Sequence, residues 1–171
     1  MGNVAMLLAQ AGHEVKGSDE NAFPPMGPQL EKTGIRVRLG YAAENVCESF
    51  VPEVLVISNA LSRGHAEIVE AQRLGIRISG FPEILYEMIL KDRRPVVIAG
   101  THGKTTTTAM TAHVLQPLQA GCLVGGILKT GESGFMLGAG GAPFAIEGDE
   151  YGTSCFDPGA KFLHYHPDTL V

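Results

Sequence analysis

Gly100, Thr101, His102, Gly103, Lys104, Thr105 and Thr106 form a glycine turn followed by a lysine and threonine hydroxyls, placed directly after the aliphatic run Val96-Val97-Ile98. That order suits the binding of a phosphate. Where a strand turns into a helix, the first backbone amides have no internal partner and carry the positive end of the helix dipole, and glycines keep Cβ atoms out of an anion's way. Lys104 would reach the β- and γ-phosphates as a point charge, and the Thr105 hydroxyl would ligate Mg²⁺. The general pattern G-x-x-x-x-G-K-[ST] is not met, because Ile98 stands five positions before Gly103; the shorter G-T-H-G-K-T-T is what is present. Four consecutive threonines, Thr105–Thr108, are poor helix formers, so local propensity does not account for them.

A second set of chemically capable residues lies in PFAIEGDEY at 143–151, where an apolar run ends in Glu147, Asp149 and Glu150. A carboxylate at the tip of a strand beside a phosphate loop is placed to hold Mg²⁺, which takes one or two carboxylates plus substrate oxygens. Glu147 is the candidate. Asp19 follows the expected strand HEVKGSD and lies seventeen residues after Gly2, near the spacing of about 20 at which an acid meets a ribose hydroxyl. A turn aspartate at a strand end would have the same spacing. Asn59, Ser62, Arg63 and His65 in SNALSRGH suit an anionic ligand, or an ordinary polar loop. His164 and His166 alternate on an expected strand and would share one face; without a third ligand nearby they read as a surface pair.

The elements that must carry these residues alternate. A helix over 3–11 precedes strands in HEVKGSD, IRVRLG, EVLVISNA and IRISG, with helices at QLEKTG, HAEIVEAQRLG and PEILYEMILK between and after them. Such alternation predicts an α/β fold with a mostly parallel sheet covered on both faces. The charged break Lys91–Arg94 separates an expected domain over 1–92 from a second over 93–171, where the alternation begins afresh with the phosphate loop. A nucleotide-binding sheet of this kind opens with a strand feeding a glycine turn, whereas here Met1-Gly2-Asn3 leads straight into a helix, so the first strand is expected to be missing. The net charge of −5 argues against nucleic acid as a partner. No apolar run approaches the roughly 20 residues that cross a bilayer, so a cytoplasmic protein with no membrane partner is expected. Cys47, Cys122 and Cys155 show neither a disulfide framework nor a zinc pattern.

Taken together, GHEVKGSD, ISNALSRG, AGTHGKTTTTAM and the E-x-D-E-Y run occur in the order in which they occur in the Mur ligases, and the chain resembles that family throughout its length. These are the ATP-dependent amide ligases of peptidoglycan synthesis and recycling. SDENAFPPMGPQLEKTGI, NALSRG and FDPGAKFLHYHP look most like the recycling branch, which joins UDP-N-acetylmuramate to a peptide; the branch that adds L-alanine, or a non-catalytic nucleotide or UDP-sugar binding module, are the alternatives. The resemblance implies a Rossmann-like UDP-sugar domain followed by the start of a phosphate-loop ATPase domain, with ATP and Mg²⁺ as cofactors. By motif position it implies that Gly100–Thr106 hold ATP, that Lys104 is catalytic, and that Thr105 and Glu147 hold the metal. It further implies that Gly2, Asn3, Asp19, Asn59, Ser62 and Arg63 face the UDP-sugar. Gly148 and Gly152 stand where alanine and aspartate are expected beside the acidic motif. The family's later metal segment and amine-binding domain would lie beyond Val171, so the chain alone is expected to be inactive.

Overall fold

The computed structural model describes residues 1–125 and 134–171. Its first half runs α1 (Gly2–Gln10), β1 (Lys16–Asp19), α2 (Met26–Lys32), β2 (Arg36–Leu39), β3 (Val54–Ile57), α3 (Ala66–Arg73), β4 (Arg77–Gly80) and α4 (Phe81–Met88). The second half follows with β5 (Arg94–Ala99), α5 (Lys104–Leu115), β6 (Gly121–Leu123), β7 (Phe135–Met136), β8 (Pro143–Gly148) and β9 (Thr169–Leu170). The fold is α/β, as the alternation predicts.

The first four strands form two separate parallel pairs, β1 with β2 and β3 with β4, instead of one continuous sheet. The later strands form a five-stranded sheet in the order β7-β6-β8-β5-β9, parallel except where β7 pairs with β6. β5 and β8 sit inside it, and both are buried through most of their length, as their continuous aliphatic runs require. One hydrophobic core joins the two halves. Val4, Leu7 and Leu8 of α1 and Ile84 and Leu85 of α4 pack with Val97 of β5, Leu123 of β6, Phe144 and Ile146 of β8, and Tyr165. No helix among the described residues is long and apolar enough to cross a membrane.

The strand expected at His164 and His166 is absent. Lys161–Tyr165 form a 3-10 turn, and His166 follows it in the left-handed region at φ 46°. Phe162 and Tyr165, three residues apart, both pack against the core, a helical spacing that the alternation of the two histidines concealed. The two rings therefore do not share a face: His164 Nε2 lies 2.9 Å from Asp157 Oδ2, while the His166 ring packs on Tyr86 at 4.3 Å between centroids.

Candidate nucleotide-phosphate site

β5 and β8 run parallel in a register that pairs Ile98 with Glu147 and Ala99 with Gly148. Their carboxyl ends therefore emerge side by side, the position at which open α/β sheets bind ligands. From the tip of β5 the chain turns through Gly100, at φ 135°, and Gly103, at φ 79°, into α5. Both values lie in the region where a side chain is strained, so the turn needs these glycines. Gly103 is also the residue that caps α5, and having no side chain it leaves the first helical amides uncapped. Thr101, His102, Thr105 and Thr106 are exposed around this helix start. Of the four threonines only Thr108 is fully buried.

Lys104 folds back over the turn. Its Nζ donates to the Gly100 carbonyl at 2.6 Å and to Glu150 Oε2 at 3.1 Å, and the side chain is 16% exposed. Its own backbone amide and Lys104 hold the Glu150 carboxyl below the usual carboxylate range. The Thr105 hydroxyl donates to Glu147 Oε2 at 3.2 Å, and the Gly125 amide donates to Glu147 Oε1 at 2.6 Å. Gly125 lies two residues beyond the end of β6, and a Cβ there would stand 3.3 Å from both Glu147 oxygens, so the glycine allows this close approach. Residues from three strand ends thus meet at the start of one helix. Thr105 and Glu147 supply only oxygen donors, the set that a hard cation such as Mg²⁺ accepts.

Two members of this arrangement, Gly125 and Lys161, escaped sequence reasoning, and Asp149 and Glu150 were noted there only as neighbours of Glu147. Lys161 is nearly buried, and its Nζ donates to Asp149 Oδ2 at 2.9 Å. The only signal for Gly125 was its place after the apolar run CLV, on a strand whose neighbour could not be read from the sequence. Gly148, where alanine was expected, has a packing reason. A Cβ at that position would meet Val97 Cγ1 at 2.7 Å, so the glycine gives the fully buried Val97 its room.

The residues expected at a UDP-sugar are arranged less tightly. Asn3 is buried, and its Nδ2 donates to the Val124 carbonyl at 2.9 Å, tying α1 to the end of β6; its Oδ1 is buried without a partner. Gly2 lies under Met26, whose Sδ would be 2.3 Å from a Cβ at that position. Asp19, exposed at the end of β1, accepts the Asn21 amide at 3.3 Å. The Met1 amino group has its pKa lowered by burial and then by Lys161, with Asp19 opposing, which puts the start of α1, Asp19 and Lys161 in one neighbourhood. Asn59, Ser62 and Arg63 are exposed after β3. Arg63 turns toward the second half, donating from Nε to the Cys155 carbonyl at 3.2 Å and lying 5.0 Å from the Phe156 ring.

The sequence profile described as Mur ligase family, catalytic domain, matches residues 1–93. The chain belongs to the Mur ligase family. The matched stretch stops before the Gly100–Thr106 turn, so membership and the geometry of the turn are separate observations. Among curated Mur ligases, the UDP-N-acetylmuramate–L-alanyl-gamma-D-glutamyl-meso-2,6-diaminoheptandioate ligase of Escherichia coli (strain K12) is 40% identical over 173 residues, which is all of this chain and 37% of that protein. The chain therefore spans just over a third of the length of that relative. The crystal structure of the UDP-N-acetylmuramate:L-alanyl-gamma-D-glutamyl-meso-diaminopimelate ligase from Neisseria meningitides superposes with a TM-score of 0.91 at 38% identity, covering 99% of this chain and 55% of that one. The UDP-N-acetylmuramate–alanine ligase of Thermotoga maritima gives a TM-score of 0.76 at 27% identity, over 88% of this chain and 34% of that one.

Proposed function

We propose that this chain carries the nucleotide-handling part of an ATP-dependent ligase that joins UDP-N-acetylmuramate to L-Ala-γ-D-Glu-meso-diaminopimelate in cell-wall recycling. Residues 1–92 would serve the UDP-sugar and residues 93–171 the ATP, the two meeting over their shared core. The observation that carries this reading is the meeting of Lys104, Thr105 and Glu147 at the tips of β5 and β8. The recycling branch is favoured over the L-alanine branch by the closer superposition on the tripeptide ligase.

In the reaction proposed, the muramate carboxylate attacks the γ-phosphorus of ATP, an acyl phosphate forms as ADP leaves, and the peptide amine then displaces phosphate to give the amide. Phosphoryl transfer of this kind depends mainly on placement and charge neutralisation. The amides at the start of α5 would bind the phosphate oxygens. Lys104, redirected from Gly100 and Glu150, would neutralise charge on the transferring group. Thr105 and Glu147 would hold Mg²⁺, which would supply positive charge to offset that of the phosphates. Asp19 and the start of α1 would face the UDP portion, with Arg63 beside it. The test is a titration of this chain with ATP in the presence of Mg²⁺. Saturable binding that requires Mg²⁺ is expected, and its absence would refute the reading.

A further inference from the structure

Away from the phosphate site, three metal-binding side chains converge from three parts of the fold. Glu83 lies in the first turn of α4, Asp157 in the turn after β8, and His164 in the 3-10 turn at 161–165. One donor atom of each, a carboxylate oxygen from both acids and an imidazole nitrogen, lies within 4.8 Å of the other two, and all three residues are half-buried. The surroundings orient them. The Gly159 amide donates to Asp157 Oδ1 at 2.7 Å, and the hydroxyl of buried Ser79 donates to Glu83 Oε2. A Cβ on residue 159 would stand 2.9 Å from Asp157 Oδ1 and 3.8 Å from His164 Nε2, so glycine at that position leaves the space beside the pair open.

We propose that Glu83, Asp157 and His164 form a binding site for a transition-metal dication of the Zn²⁺ class, separate from the Thr105–Glu147 pair. The proposal does not depend on the ligase reading.

Charge balance and donor type carry it. His164 Nε2 lies 2.9 Å from Asp157 Oδ2, and an ion pair would explain those two residues alone. Glu83 brings a second carboxylate to the same place, and one proton on His164 cannot neutralise both acids; a dication can. Lys161, the neighbouring cation on the same turn, is already engaged by Asp149. An imidazole with two carboxylates suits Zn²⁺, Co²⁺, Mn²⁺ or Fe²⁺, whereas Mg²⁺ prefers oxygens alone. Metal–ligand bonds of about 2.0–2.2 Å place neighbouring donors roughly 3.3–3.6 Å apart, so the observed spread closes with side-chain movements of about 1 Å. The Ser79 hydroxyl and Gly159 amide are the supporting partners such ligands require. A bound ion would clamp α4 of the first half to the 157–164 segment that follows the acidic tip of β8.

The test is a Co²⁺ titration of this chain after treatment with a chelator. One equivalent is expected to give a saturable visible absorbance band, displaced by Zn²⁺. Zn²⁺ is expected to raise the melting temperature by several degrees, and Mg²⁺ at the same concentration to leave it unchanged. His164→Gln and Asp157→Asn should each weaken Co²⁺ binding at least tenfold, and Glu53→Gln, at an exposed carboxylate that belongs to neither site, should leave it as it is. Should His164→Gln unsettle its turn, ring-nitrogen NMR of the unaltered chain gives a second reading: Zn²⁺ must shift the His164 signals and leave those of His102 and His113 in place. No saturable band, binding by both ligand variants as tight as the parent's, or an unmoved His164 signal would overturn the proposal.

Discussion

Lys104 is set among partners that a phosphate can replace: a backbone carbonyl and a half-exposed carboxylate, Glu150. Because neither contact holds the core together, Lys104→Ala should leave stability within about 0.5 kcal/mol of the parent. The same change should weaken Mg²⁺-ATP binding by about 10–100-fold, the cost of losing a charge-assisted hydrogen bond of about 1.5–3 kcal/mol. Calorimetric titration and thermal melting check the two halves of that statement. Glu147→Gln keeps an oxygen for the Gly125 amide but removes the charge beside Thr105, so nucleotide binding should lose its dependence on Mg²⁺ concentration; an unchanged dependence would remove Glu147 from the metal's ligands. At this scale the sequence was informative where a residue's position follows from its neighbours in the chain. Lys104 and Thr105 at a helix start are of that kind. Glu150 as the partner of Lys104 was not legible, since it lies 46 positions away and is brought close only by the β5–β8 register. Asn3, read as facing a ligand, directs its amide group to Val124 across 121 positions, a contact no local pattern announces.

The turn between β5 and α5 works because Gly103 takes a left-handed conformation. Gly103→Val should cost about 1–2 kcal/mol from that conformation alone and should abolish phosphate binding, measurable by denaturant unfolding and titration. Gly148→Ala tests the packing of β8 on β5. The added methyl meets Val97 Cγ1, and overpacking of a filled core costs about 1–3 kcal/mol. A variant as stable as the parent would show that the sheet yields freely there. Strands and helices were readable where apolar residues form one unbroken run closed by a turn, as in β5 and β8, or recur with a helical period, as in α4. The Lys161–Tyr165 turn was misread because two alternating histidines imitate a strand, while the residues that bury, Phe162 and Tyr165, follow a helical period.

The halves of the molecule share one core, and Tyr165 sits in it. Burial pushes the Tyr165 phenol far above its ordinary range, with Asp149 and Glu147 adding to the shift. A raised folded-state pKa means that this contribution to stability is fully present below the ordinary phenol value of about 10 and is lost as the pH rises beyond it. Stability should therefore fall with alkaline pH above that value, and Tyr165→Phe should flatten the fall; an equally steep profile in the variant would assign the loss to other groups. The α/β class was legible from alternation alone. That the first four strands form two separate pairs, and that the cores of the halves merge, depend on strand order and long-range packing, which no period along the chain encodes. One claim is central at every scale, that the turn from Gly100 to Thr106 holds the terminal phosphates of a nucleotide with Lys104 and Glu147 around them. Titration of the parent chain, Lys104→Ala and Glu147→Gln with ATP, with and without Mg²⁺, tests it most directly. Saturable, Mg²⁺-dependent binding by the parent, weakened in the first variant and insensitive to Mg²⁺ in the second, is the expected result. Equal binding by all three proteins, or none by the parent, would contradict the account.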